Sequence, residues 1–212
     1  MHTPILSADI SAYHDAALAN PQAPTPASAH AAVWQWVAEN HRNNYLLWDQ
    51  EDLARRRHAP AQEIMANKRA IDAYNQARND AIEKTDEYLL IAVGLITPEQ
   101  AASHAPQATV HAGAKLNSET AGSIVDRLSI IALKIRAMSE QTQRSDITED
   151  FRSQCAQKLA RLHEQRSDLG ACLDALLAGS LAGTAYFKVY RQFKMYNDPA
   201  MNPVLVAERA LL

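Results

Sequence analysis

The chain predicts an all-α fold: a single domain of about four long antiparallel helices, a helical bundle, with shorter terminal helices. Three observations predict it. Apolar residues recur three and four apart over several long stretches, the spacing of one helix face packed on neighbours. Only 6 glycines occur in 212 residues, while Ala, Leu, Gln, Glu, Arg and Lys are plentiful, a composition that favours helix over sheet. Breaks rich in proline or glycine divide the periodic stretches.

Taken in order, residues 5–19 read as a short helix capped by Ser7 or Asp9. Residues 20–28, NPQAPTPAS, hold three prolines and no periodicity. The segment 1–28 is therefore expected as a short helix and a Pro-rich loop, ahead of a bundle domain over 29–212. The first long helix runs from Ala29 to about Arg57 and the second from Ala61 to about Val93, with Pro60 between them. Residues 97–113 read as a loop with one helical turn at 98–103. The third helix, LNSETAGSIVDRLSIIALKIRAM at 116–138, is expected to be central and capped near Asn117 or Ser118. Its face is Ile124, Leu128, Ile131, Ile135 and Met138, yet Asp126, Arg127 and Lys134 lie beside it. A fourth helix over 146–177 carries a stripe from Phe151 and Cys155 to Leu173 and Leu176, broken at 179–183. A fifth is predicted over 184–195, then a turn at YNDPAMNP and a last amphipathic segment at 204–211.

Composition excludes several classes. With 47 % hydrophobic residues the chain is not disordered throughout. A formal net charge of -3 leaves no basic excess for general nucleic-acid binding. Cys155 and Cys172 lie about 25 Å apart along one continuous helix, too far for a disulfide, and are expected as buried small hydrophobes. No apolar run approaches the ~20 residues of a membrane span. The N-terminus lacks a basic segment followed by a hydrophobic core, so no signal peptide is expected and the expected location is cytoplasmic.

Polar residues on buried stripes supply the candidate site. On the first long helix Trp34, Val37, His41, Asn44, Trp48, Glu51 and Arg55 share one face. Two tryptophans mark it as buried, and the polar members are either a hydrogen-bonded layer between helices or a pocket wall with a stacking surface. On the second, Asn75 and Arg78 lie on the apolar stripe and Asn79 beside it; asparagines in mid-helix need partners. Asp126 and Arg127 add a third wall. In FKVYRQFKMYNDP, residues 187–199, Lys188, Arg191 and Lys194 alternate with aromatics, either as phosphate contacts or as a solvated face over an aromatic core.

There is no Gly-rich phosphate loop, HExxH or CxxC, and no cofactor is expected. His41 and His163 lack ligand-spaced partners, so a zinc site is not expected. Five ordered blocks, NHRNNYLLWDQEDLARR (40–56), NQARNDAIEKTD (75–86), LNSETAGSIVDRLSIIALKI (116–135), QRSDLGACLDALL (165–177) and FKVYRQFKMYNDPAMNP (187–203), resemble the bacterial family known as domain of unknown function 4254. The resemblance implies a helical fold and a role in polysaccharide biosynthesis, in lipopolysaccharide or other surface-glycan assembly beside glycosyltransferases. The expectation is an interhelical pocket for an anionic ligand of sugar or nucleotide-sugar type. If chemistry occurs there, Glu51 or Asp126 is the expected base and His41 the acid/base partner. One alternative is a non-catalytic accessory protein for a glycosyltransferase, or one that pairs with a second copy of itself. Another is a magnesium-dependent nucleotide pyrophosphatase using Glu51, Glu83 and Asp126.

Overall fold

The computed structural model describes residues 5–103, 106, 108, 110–192, 195 and 198–209. The chain runs α1 (Ser7–Ala19), α2 (Ala31–Ala54), α3 (Ala61–Ala92), α4 (Pro98–Ala101), β1 (Lys115–Leu116), α5 (Ala121–Thr142), α6 (Glu149–Leu181), β2 (Ala185–Tyr186) and α7 (Pro203–Arg209). It is an all-α helical bundle, as the periodicity predicts.

Two long hairpins build it. In the first, Arg56 pairs with Glu63 beside the turn at 2.9 Å, and further along Asn67 donates to Gln50 at 2.7 Å, the register of antiparallel α2 and α3. The second joins α5 to α6. Helix α5 is the hub, packing on α1, α2, α3 and α6, whereas α6 touches neither α2 nor α3. Its sequence explains this. Ile124, Val125, Leu128, Ile131, Ala132 and Leu133 are all buried, so apolar side chains cover most of the helix circumference rather than one stripe. One side of α5 stays uncovered.

Helix α1 closes the opposite side and adds Ile10 and Tyr13 to the same core. Ser7 does not cap it. Leu6 holds the N-cap position without a side-chain bond, while the Ser7 N–H and Oγ both donate to Asp174 of α6, at 2.8 and 2.7 Å. Arg166, which interrupts the leucine stripe, pairs with Asp15 at 2.8 Å. Cys155 is buried, but Cys172 is exposed, contrary to expectation; both are free.

Two further expectations need correction. The third long helix starts at Ala121, not near Ser118, because Thr120 accepts the Ser123 N–H at 3.1 Å and so caps it. Upstream of it, Lys115 and Leu116 form β1. The predicted helix over 184–195 does not form over 184–192; residues 193, 194, 196 and 197 lie outside the described ones. Instead β2 pairs in parallel with β1, and Lys115 and Asn117 donate to the Thr184 and Tyr186 carbonyls at 2.9 and 2.7 Å. Phe187 and Val189 are buried while Tyr190 is 69 % exposed. That is a period of two, with a β-branched residue and aromatics that suit extended chain. Gly183, at φ +70°, ends α6 in the left-handed conformation that glycine adopts without penalty.

The first turn of α5 meets α3 so closely that a Cβ on Gly122 would lie 2.5 Å from the Ile82 carbonyl oxygen. That atom belongs to helix backbone and cannot move aside. Gly122→Ala should cost about 1–3 kcal/mol of stability. An unchanged urea midpoint would show that the two helices do not need this contact.

Candidate functional site

A buried polar layer joins the two hairpins. Asn40 and Asn44, one turn apart on α2, both point their amides at α5. Each donates from Nδ2 to the Asp126 Oδ1, at 2.9 and 2.8 Å. Asn44 also donates to Ser129 Oγ at 3.1 Å, and His41 Nδ1 lies 2.7 Å from the same hydroxyl. From α3, Arg78 brings Nε to 3.8 Å from Asp126 Oδ1, close enough for Coulomb attraction but too long for a hydrogen bond. The Arg78 Nε is buried without a hydrogen-bond partner.

Beside this layer lies a cleft of about 420 Å³ between α2, α3 and α5, within the size range of small-molecule sites. Its walls include Asn44, Trp48, Glu51 and Arg55 of α2, Arg78 of α3, and Ile130 and Leu133 of α5. Five sequence-selected residues thus meet in one concavity. Arg55 pairs with Glu51 at 3.0 Å near the mouth, both substantially exposed. Asp126 stands behind the wall, reached through Asn44 and Arg78.

The other candidates go elsewhere. His41 faces α1, where its ring stacks on His14 with centroids 4.5 Å apart. Burial, and next the charge of Arg136, push the His41 pKa down to about 4; burial lowers His14 well below its ordinary value. Neither is placed to trade protons with Glu51. Asn79 is buried and Asn75 half-buried on α3, and neither lines the cleft. Arg127 is held by Glu119 at 2.8 Å. Arg191 lies 2.6 Å from Glu87 and 3.2 Å from Glu83, fastening the segment after β2 to α3. Lys188 is half-buried on that segment, and Lys194 lies outside the described residues. Glu83 is occupied by Arg191 and by the Gln192 N–H. Among the described residues no three His, Cys, Asp or Glu side chains gather as a metal-ion site, so Glu51, Glu83 and Asp126 do not share the common point a magnesium site needs.

A family model described as protein of unknown function, DUF4254, matches residues 34–189. The chain belongs to this family. No curated protein and no solved structure matches it. The matched span of this DUF4254 member includes every residue of the cleft, whereas α1 lies outside it. Among the described residues no helix is long and apolar enough to cross a membrane.

Sequence reasoning passed over Asn40 and Ser129. Asn40 carries a readable signal, four residues before Asn44 and so on the same face; a lone serine in an apolar helix carries none. Sequence reasoning weighed Asp86 only as one of several carboxylates for magnesium. This carboxylate is fully buried at the α3–α5 junction and accepts the Gly122 N–H at 2.6 Å. Burial is the main cause that pushes its pKa up to about 7.

Two outcomes follow from these geometries. Asp126→Ala would leave Asn40, Asn44 and Arg78 facing an apolar gap. It should cost about 3 kcal/mol in urea denaturation, and a loss within error would remove Asp126 from its structural role. For Asp86 the folded-state pKa lies above the ordinary 3.8, so its contribution is full below that value and fades as pH rises through about 7. Asp86→Asn keeps an acceptor for Gly122 and does not titrate. Its stability relative to wild type should improve by on the order of 1 kcal/mol from pH 6 to pH 8. A difference that stays flat across that window would refute the burial effect.

Proposed function

We propose that the protein binds an anionic small molecule of sugar-phosphate or nucleotide-sugar type in the cleft between α2, α3 and α5, in the service of bacterial surface-glycan assembly. The observation that carries the reading is Arg78. Its side chain is 27 % exposed at the cleft wall, and its Nε has no hydrogen-bond partner. A guanidinium held in place by a carboxylate it does not fully engage keeps donors for a ligand oxygen. Trp48 beside it offers an aromatic surface to a sugar or base ring. Arg55 adds a second cation, and Asn44 a polar group already oriented by Asp126. The link to glycans rests on the family resemblance alone.

The reading concerns binding. Of the three sequence candidates for acid/base chemistry, Glu51 pairs with Arg55, and His41 and Asp126 are engaged in the polar layer. That closed layer favours a second reading, an accessory protein whose network sets helix register and whose surface docks a glycosyltransferase. The two differ at Arg55, which lies outside the layer and which only a ligand site requires to be cationic.

Thermal unfolding with glucose 1-phosphate and UDP-glucose separates them. A ligand at 100 times its dissociation constant adds about 2.7 kcal/mol of stability, so the wild type should melt several degrees higher and an Arg55→Ala, Arg78→Ala variant should not. Equal shifts in both proteins, or none in either, would sink the cleft reading.

A further inference from the structure

The geometry points to a second, phosphate-binding half of this site: a recess between α5 and α6 that shares Trp48 with the cleft and takes the phosphate of a phosphorylated sugar whose hydroxyls lie in the cleft. The recess holds about 460 Å³. Polar lining comes from Lys134 and Gln141 of α5 and from Lys158, Arg161 and Gln165 of α6, with Trp48 across from them on α2. It exists because α6 never reaches α2, which leaves the open side of α5 as its floor.

Charge separates it from the neighbouring hollows. The cleft balances Glu51 and Asp52 against Arg55 and Arg78, and a hollow further along α5 balances Glu119 and Asp168 against Arg127 and Lys134. The recess has three cations and no carboxylate, in a chain with 24 acidic and 21 basic residues. Lys134 and Lys158 have no ion-pair partner among the described residues. Arg161 lies 3.6 Å from Glu164 in an exposed pair, and exposed pairs are weak enough for a phosphate to displace. Cations confined to a concave wall raise the local concentration of anions.

The contrast also orients the ligand. The carboxylates of Glu51 and Asp52 repel phosphate but accept hydrogen bonds from hydroxyls, as can the Asn44 Oδ1, whose N–H groups are given to Asp126 and Ser129. A phosphate in the cleft would meet two negative charges beside the two cations; in the recess it meets three cations and no carboxylate. Trp48, which lines both, is the surface across which a sugar ring spans from one to the other. This inference rests on the cleft being a ligand site. It adds a ligand class and a direction, with Lys134, Lys158 and Arg161 as phosphate contacts.

Calorimetric titration of the full chain with glucose 1-phosphate, UDP-glucose, glucose and inorganic phosphate tests it. Wild type should bind at least one phosphorylated sugar about tenfold more tightly than either glucose or inorganic phosphate, and the better of the two shows whether the unit is taken free or on a nucleotide. Lys158→Ala with Arg161→Ala should weaken that ligand about tenfold, while Lys158→Arg retains it. Both side chains are exposed on α6, and an unchanged melting temperature confirms that the variant folds. Undiminished binding in this variant, with loss only in Arg55→Ala, Arg78→Ala, would overturn the recess and leave the cleft standing. Inorganic phosphate binding as tightly as the sugar phosphates would overturn the shared site. No binding by any probe would overturn both.

Discussion

The Asp126 carboxylate is the constraint on which the two hairpins depend. It lies in the second turn of α5, almost wholly buried, and an ionised carboxyl there costs several kcal/mol unless its oxygens are met. Asn40 and Asn44 meet one of them from α2, and Arg78 approaches it from α3. Three helices are thereby held in one register, since a shift of α2 by a single residue would turn both amides away. The same carboxylate holds Arg78 at the cleft wall, so the structural layer and the candidate site share an anchor.

The position of the site follows from how the hairpins meet. Gly122 lets the start of α5 lie against α3, and the parallel pairing of β1 with β2 ties the approach to α5 to the exit from α6. With the start of α5 placed, α6 packs on one flank and α2 with α3 on another, and α1 fills the side between them. The remaining side has no helix over it. The cleft and the recess open along that side.

Part of the site was legible in the sequence. Asn44, Trp48, Glu51 and Arg55 recur at helical spacing, so any helix places them on one wall. Arg78 could be singled out as a charge on an apolar stripe. His41 belongs to the same stripe but turns toward α1, because a stripe is wide enough to face two neighbours at once. Arg191 read as either a phosphate contact or part of a solvated face, yet Glu83 and Glu87 occupy it. Lys158 and Arg161 carry no sequence signal, since nothing in their own helix shows that Trp48 and Lys134 stand opposite.

By itself the sequence determined the all-α class, the extent of the four long helices to within a few residues, the loop at 20–28 and the membership of one family. These rest on local properties: periodicity, propensity and punctuation act over a turn or two of chain. The tertiary structure alone decided that 184–192 runs extended, that Thr120 rather than Ser118 caps α5, and which charges are consumed by partners. Periodicity tells which face of a helix is covered; what covers it is set by residues that pair from 80 or more positions away, as Asn44 does with Asp126.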